Sequence, residues 1–408
     1  MHFKIDKSLL RHSSIILTAT VIGGLFNYLF QLYMGRALSP EGYGEFSALV
    51  SLLYITSVPA GTIVTTIALF ASEYKAKSEY GKLKFLLIDS IKKLFIFGLL
   101  GFILIGIASS AISSFLNIGS NIPVLIIGLI FLISAVYQIA VGTLQGLQNF
   151  TQAGLNGILA AAFKLVFGVL FVYFGLGVNG ALLALFVSPL LAFLFALIPL
   201  RFISKTISIR TKNREILKYS LPVLITLLVI TLISNIDVVL VKHYFSAADT
   251  GYYSAASLLS KIIFFVTGAI ATVMFPKVSE LHIRKEKTIE VLRNSLFYTF
   301  MITAPAIFIY WFSPAFVVGM LFGREYAGTT EIIGLFGVAL MFFSLAYIII
   351  MYSMAVKNFR FLYIITGVLL LEVLVLSSFH DTLFTVVKIL AILFIMLFTG
   401  MALVVPRK

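Results

Sequence analysis

The sequence contains no cysteine, and this absence excludes two kinds of site. Neither a disulfide framework nor a thiolate metal site can form without cysteine. The five histidines stand apart along the chain, and no two of them have the spacing of metal ligands. There is also no Asp-x-Asp motif and no obvious pair of surface carboxylates. The sequence therefore predicts no metal centre, no cofactor and no catalytic residues, so the chain is not expected to be an enzyme.

Charged residues are scarce as well. Only 11% of the 408 residues are charged and 61% are hydrophobic, whereas about a quarter of the residues in a soluble domain are charged. The mean hydropathy is +1.09, and the apolar runs are long and continuous, unlike the ~10-residue alternating strands of a membrane barrel. These features predict an all-α integral membrane protein with many membrane-spanning helices.

Acidic residues are fewer than basic ones, which gives a net charge of +14. In a soluble protein this excess would suggest a nucleic-acid partner, but membrane proteins concentrate Lys and Arg in their cytosolic loops. If the N-terminus is cytosolic, most of the 30 basic residues fall on the cytosolic side. We therefore predict a multi-pass protein of the cell (inner) membrane with both termini in the cytosol, and no nucleic-acid partner.

Twelve apolar runs are long enough to span a bilayer, six on each side of a basic segment at 201–218. The predicted spans are 13–35, 46–72, 91–115, 122–146, 154–175, 179–200, 219–242, 252–275, 296–321, 331–355, 361–379 and 382–405. The basic segment is too highly charged to cross hydrocarbon. We therefore predict an N-terminal bundle at 1–200, a cytosolic linker at 201–218 and a C-terminal bundle at 219–408.

Two short motifs recur at one interval along the chain. Gly42-Tyr43 is repeated at Gly251-Tyr252, and Asn149-Phe150 is repeated at Asn358-Phe359. Because each half contains an even number of predicted spans, both halves would enter the membrane from the same side. This pattern predicts two six-helix bundles related by a pseudo-twofold axis along the membrane normal, with a substrate site between them.

Three segments resemble the flippases of polysaccharide biosynthesis, which export O-antigen and exopolysaccharide repeat units. They are RALSPEGYGEF at 36–46, LQGLQNF at 144–150, and Asn235-Ile236-Asp237 followed by ADTGYYSAA at 248–256. The superfamily of these flippases also contains multidrug/toxin extruders and peptidoglycan lipid flippases. The resemblance implies a central cavity that opens to alternate sides and is lined largely by the first, second, seventh and eighth helices.

The resemblance also implies a substrate, a lipid-pyrophosphate-linked oligosaccharide that moves from the cytosolic to the outer leaflet. The other expected partners are membrane lipids and a coupling ion, either a proton or sodium. We expect a monomer that works near a polysaccharide polymerase or glycosyltransferases.

Polar residues within the predicted spans, together with Arg36 at the outer rim of the first span, are the candidates for the substrate cavity, because cations suit pyrophosphate, and amide, hydroxyl and aromatic groups suit sugars. These candidates are Asn27, Gln31, Arg36, Tyr54, Asp237, Ser257 and Lys261. The alternative is that the small polar residues only allow close helix packing. For Lys261 the alternative is a structural ion pair with Asp237, its nearest acid in the topology.

Ionisable residues in apolar spans are costly and commonly functional. Asp237, Glu372 and Lys388 are therefore candidates for ion coupling, although Glu372 and Lys388 could instead pair with each other. Lys164 is expected to extend its ammonium group to the membrane interface. A multidrug/toxin extruder driven by a cation gradient is the alternative function. A membrane glycosyltransferase or ligase is disfavoured, because the chain has neither a large external loop nor an acidic metal motif.

Overall fold

The computed structural model describes residues 7–204, 206–209 and 217–404, and these residues are helical almost throughout. The structure is 87% helical, and its described part contains no strand. Ten helical segments within that part are long and apolar enough to cross a membrane. The predicted class, an all-helical membrane protein, is confirmed. The number of twelve spans and the twofold relation between bundles remain predictions.

The described residues divide into two compact units. Unit 1 contains the described residues up to Leu38 and from Leu49 to Leu224, whereas unit 2 contains 39–48 and the described residues from Ile225 onward. Residues 39–48 belong to the first predicted bundle in sequence but group with unit 2 in the structure. The predicted linker at 201–218 falls partly outside the described residues, since 205 and 210–216 are not described.

The helices up to residue 204 are listed first. They are α1 (Lys7–Ala37), α2 (Pro40–Ala76), α3 (Tyr80–Phe115), α4 (Ile122–Gly146), α5 (Phe150–Tyr173), α6 (Gly177–Leu197) and the short α7 (Arg201–Ser204). In unit 1, α5 packs against α1 and α6, and α4 packs against α3 and α6.

Glycines allow α4 and α2 to approach closely. A Cβ atom added to Gly142 would lie 2.7 Å from the carbonyl oxygen of Val64. Gly146, one turn further along α4, packs in the same way on the backbone of Ala68. Small residues serve this purpose in membranes because helix association there depends on close packing rather than on the hydrophobic effect.

The helices after the linker follow in chain order. They are α8 (Leu217–Ile233), α9 (Ile236–Tyr244), α10 (Ala247–Ile283), α11 (Ile289–Phe312), α12 (Pro314–Leu321), a 3₁₀ helix (Arg324–Glu331), α13 (Ile333–Ala355), α14 (Phe361–Ser378) and α15 (Leu383–Val404). The predicted seventh span is thus broken into α8 and α9, and the predicted ninth span into α11 and α12. Within unit 2, α13 is the most deeply buried span and packs against α10, α11 and α15.

Two serines begin α2 and α10 in the same way. The Ser39 hydroxyl accepts a hydrogen bond from the backbone N–H of Gly42 (3.3 Å), and Ser246 accepts one from that of Asp249 (3.1 Å). These N-caps satisfy N–H groups that lack a partner at a helix start. They also correct the register of the repeat, because they align Gly44, not Gly42, with Gly251. Asn149 and Asn358 do match, since each follows a left-handed residue at a helix end.

Gly44 and Gly251 bring the first turns of α2 and α10 into backbone contact within unit 2. A Cβ atom on Gly44 would lie 2.7 Å from the Gly251 nitrogen, and one on Gly251 would overlap the Pro40 carbonyl group. Pro40 lies at the first position of α2, where its missing N–H costs nothing. Gly44 and Gly251 are therefore required by this helix crossing.

Candidate functional site

A break in the seventh span places Ser234 and Asn235 between α8 and α9 inside unit 2. The Ser234 hydroxyl donates to the Ile230 carbonyl group (2.7 Å), and the Asn235 side-chain amide donates to that of Thr231 (2.8 Å). Ser and Asn compete with the backbone for hydrogen bonds in this way and favour helix ends. Interrupted helices within membranes are typical of binding sites in transporters.

Lys261 of α10 reaches this break. Its Nζ atom donates to Oδ1 of Asn235 at 3.3 Å, and it interacts electrostatically with Asp237. In the part of the chain that the structure describes, Lys261 makes no direct salt bridge. The predicted alternative of a direct Lys261–Asp237 ion pair is therefore wrong, because Asn235 takes the bonding position beside the ammonium group.

Asp237 and Glu372 place two carboxyl groups in the same buried region. Asp237 begins α9, is 4% exposed, and accepts a hydrogen bond from the Tyr253 hydroxyl at 2.7 Å. Glu372 of α14 is fully buried and interacts electrostatically with Asp237. Among the described residues, Oδ1 of Asp237 and both oxygens of Glu372 have no hydrogen-bond partner.

Glu372 does not pair with Lys388, which corrects that expectation. Lys388 lies on the exposed surface of α15, whereas Glu372 is fully buried and interacts electrostatically with Asp237. The buried cluster thus sets two acidic groups against the single ammonium group of Lys261. A buried charge without a partner of opposite sign is costly. The charge balance of the cluster therefore favours the binding of one more positive charge.

Ser257 extends this cluster along α10. It lies one helical turn before Lys261, is 3% exposed, and its hydroxyl has no partner among the described residues. We refer to Asn235, Asp237, Tyr253, Lys261 and Glu372, together with Ser257, as the unit 2 cluster.

The other predicted site residues lie in unit 1. Gln31 of α1 hydrogen-bonds with Tyr54 of α2, so the structure brings these two together. Asn27 lies one turn before Gln31 on α1 and is exposed. Arg36 lies in the last, exposed turn of α1, where a cation is favoured by the helix dipole.

Lys164 does not reach for the interface as expected. It lies past the midpoint of the 24-residue α5, and its ammonium group is 5.2 Å from the ring centroid of Phe30. Phe30 is fully buried, and a cation over an aromatic face is stabilised by the ring quadrupole. The interior of unit 1 therefore holds the cation in place.

Sequence reasoning missed Asn235 and Tyr253 as site residues. Both lie in segments that resemble the flippase family. Neither is charged at neutral pH, so the cost of burying a charge did not mark them as candidates. An asparagine beside a serine in the middle of an apolar run was the available signal for the helix break.

The sequence profile of polysaccharide biosynthesis proteins matches residues 34–331, almost three quarters of the chain. The chain belongs to this family. Uncharacterized membrane protein MJ1375 of Methanocaldococcus jannaschii is 26% identical over 337 residues, covering 78% of this chain and 75% of the relative. Capsular polysaccharide biosynthesis protein CapF of Staphylococcus aureus is 23% identical over 349 residues, covering 82% of each.

Solved structures show which fold this polysaccharide biosynthesis protein has. An inward-facing multidrug resistance MATE family transporter of the MOP superfamily matches with a TM-score of 0.76 at 15% identity, covering 95% of both chains. The lipid II flippase MurJ, in an inward closed conformation, matches with a TM-score of 0.73 at 17% identity, covering 97% of this chain and 87% of that one. The chain is therefore a multi-pass membrane protein with the fold of these transporters.

Proposed function

We propose that this protein translocates a lipid-pyrophosphate-linked oligosaccharide from the cytosolic to the outer leaflet by alternating access. Family membership supports a role in polysaccharide biosynthesis, and the transporter fold supports movement across the membrane rather than catalysis. The observation that carries the proposal is Lys261. It is an ammonium group inside a membrane span, beside a broken helix, with a neutral amide as its hydrogen-bond partner.

Lys261 suits a pyrophosphate group for an electrostatic reason. A charge-assisted hydrogen bond from an ammonium group to a phosphate oxygen is roughly twice as strong as a neutral one. Because Asn235 contacts Lys261 without neutralising it, the exchange of Asn235 for a phosphate oxygen would gain a charged partner. The amide and hydroxyl groups of Asn27, Gln31 and Tyr54 are the groups that we assign to the sugar.

The same cluster provides a site for the coupling ion. Asp237 and Glu372 leave the cluster one positive charge short when Lys261 is protonated, and a proton or a sodium ion on these carboxyl groups would supply it. A substrate phosphate bound at Lys261 would then compete with the two carboxyl groups for the ammonium group. Its negative charge would also favour binding of the ion. Lys388 is left out of this proposal because it lies apart from the cluster, on the exposed surface of α15.

A multidrug/toxin extruder is the second candidate, and two observations favour it. The MATE transporter gives the higher of the two TM-scores reported above, and the excess of buried acid over base in the cluster would suit a cationic drug. Lys261 argues against a purely cationic substrate, since it would repel one at short range.

Deletion of the gene in the source organism separates these candidates. The proposal predicts loss of surface polysaccharide, accumulation of a cytosol-facing lipid-linked oligosaccharide, and unchanged drug sensitivity. Unchanged polysaccharide together with increased sensitivity to cationic drugs would support the extruder. Reintroduction of the wild-type gene controls for effects on neighbouring genes.

A further inference from the structure

A solvent-accessible cavity of about 390 Å³ lies in unit 2, away from the cluster described above. It is formed where α10 and α13 end and where α11 and α14 begin. His282, Lys357 and Arg360 form its rim, and Thr288, Tyr352 and Val356 form its floor. The distribution of basic residues predicts that this end of unit 2 faces the cytosol.

Two hydroxyl groups of the cavity floor are joined by a buried hydrogen bond. The Thr288 hydroxyl and the Tyr352 hydroxyl are 2.7 Å apart in a buried hydrogen bond, and the two residues are 4% and 1% exposed. This bond fixes two hydroxyl groups from different helices at the base of the cavity. Hydroxyl groups both donate and accept hydrogen bonds, so they can serve an anionic ligand.

The rim of the cavity is basic, and among the residues that the structure describes no acidic side chain lines the cavity. In the described part of the chain, His282, Lys357 and Arg360 take part in no ion pair, whereas the nearby Arg284 is paired with Glu280 at 2.6 Å. The charged groups of Lys357 and Arg360 are thus available to a ligand, while the neighbouring Arg284 is already neutralised.

Lys357 and Arg360 lie in the short turn between α13 and α14. Lys357 adopts the left-handed region, with φ of 56°, a conformation that is uncommon for lysine. Asn358 then accepts a hydrogen bond from the Arg360 backbone N–H at 3.2 Å. Arg360 caps the 18-residue α14, so the cavity also borders a helix N-terminus, where N–H groups and the helix dipole favour anions.

The corresponding turn of unit 1 lacks these features. There Gln148 occupies the left-handed position, and the Lys75 ammonium donates to the Leu147 carbonyl group at 2.7 Å. Glu79, which precedes α3 as Thr288 precedes α11, binds Lys82 at 2.7 Å. The unpaired cations are therefore a property of this turn in unit 2, and not a general consequence of basic cytosolic loops.

We propose that this cavity binds a phosphate group. A guanidinium group, an ammonium group and an imidazole around one cavity match the several oxygen acceptors of a phosphate. The phosphate could belong to the headgroup of an anionic phospholipid or to a soluble phosphate compound. The proposal does not depend on the proposed transport function, since none of its residues belongs to the unit 2 cluster.

The first test measures binding of labelled phosphatidylglycerol to the purified full-length protein in nanodiscs, with labelled phosphatidylcholine for comparison. The double variant Lys357→Gln/Arg360→Gln should weaken phosphatidylglycerol binding about five-fold for each cation removed. The matched control, Arg284→Gln/Lys285→Gln, removes the same charge from an adjacent turn outside the cavity and should change binding less than two-fold. Equal loss in both double variants would overturn the proposal, because it would indicate general attraction to the basic surface.

A second test distinguishes the source of the phosphate. In detergent, inorganic phosphate or pyrophosphate should raise the melting temperature of the wild type and of the control, but not that of the cavity variant. If phosphate raises the melting temperature in this way and the first test shows no preference for phosphatidylglycerol, the ligand is a soluble phosphate compound. If only the preference for phosphatidylglycerol is observed, the ligand is a lipid headgroup. Absence of both effects in the wild type would refute a phosphate site.

Discussion

At the scale of single residues, Lys261 connects the structure to the proposed substrate. Lys261→Ala should reduce export at least ten-fold, because a hydrogen bond to a charged group contributes about 1.5–3 kcal/mol. Lys261→Arg should retain part of the activity, since it keeps the charge but changes the donor geometry. Export is measured by complementation of a flippase-deficient strain, alongside the melting temperature of each purified variant.

Lys388→Ala is the matched control, because it removes a lysine from a membrane-spanning helix of the same unit at an exposed position. It should export normally. The Lys261→Ala protein should still fold and insert, since Asp237 keeps its bond to Tyr253 and the buried acids can bind protons in place of the lost ammonium group. Full export by Lys261→Ala would remove this residue from the mechanism, and loss of folding would indicate a structural role instead.

Glu372 provides the test of ion coupling. Glu372→Gln preserves the shape of the side chain but removes its charge, so the cluster no longer lacks a positive charge. We expect export driven by an ion gradient to fall at least ten-fold, while slow equilibration without a gradient persists. The measurement is transport into proteoliposomes with and without imposed proton or sodium gradients. Glu290→Gln, an exposed acid on α11, is the control, and an unchanged gradient dependence in Glu372→Gln would contradict the coupling role.

The sequence allowed part of this cluster to be predicted. Lys261, Asp237 and Glu372 were identifiable because an ionisable group within an apolar run is energetically costly and is commonly functional. Their mutual arrangement was not, since it depends on the break at Asn235 and on which face of α14 is buried. The sequence alone therefore leaves a Glu372–Lys388 pair open as an alternative, although the two residues lie in different environments.

At the scale of helices, the crossing of α2 and α10 depends on two glycines. Gly251→Ala should destabilise the protein by about 1–3 kcal/mol, because the added methyl group overlaps the backbone of Pro40 and forces the helices apart. Gly268→Ala, on the same helix with no atom within 4 Å of the added Cβ, should be neutral or stabilising by up to about 1 kcal/mol. Thermal unfolding of the two purified variants compares these effects, and equal stability would show that the crossing tolerates a side chain.

Helix positions were predictable from long apolar runs, but helix breaks and register were not. A hydropathy pattern averages over about twenty residues and cannot detect a two-residue interruption such as Ser234–Asn235. The repeated dipeptides of the sequence align Gly42 with Gly251. The N-cap bonds of Ser39 and Ser246 shift that register, because they mark the physical start of each helix.

At the scale of the whole molecule, the distribution of charge sets the orientation in the membrane. We predict that both termini are cytosolic, because the positive-inside rule places the most basic loops on that side. Reporter fusions at the C-terminus and at 277–293 should both be active only in the cytosol. An external C-terminus would require an odd number of spans and would contradict the twelve-helix arrangement.

The central claim is that the protein moves a lipid-linked oligosaccharide across the bilayer, and reconstitution tests it most directly. Purified protein is placed in liposomes that carry a labelled lipid-pyrophosphate-linked oligosaccharide, and exposure of the label on the opposite leaflet is followed over time. The wild type should transfer the substrate faster than protein-free liposomes and at least ten-fold faster than Lys261→Ala, with Lys388→Ala equal to the wild type. Export of a cationic dye by the same liposomes, without any transfer of the oligosaccharide lipid, would contradict the account.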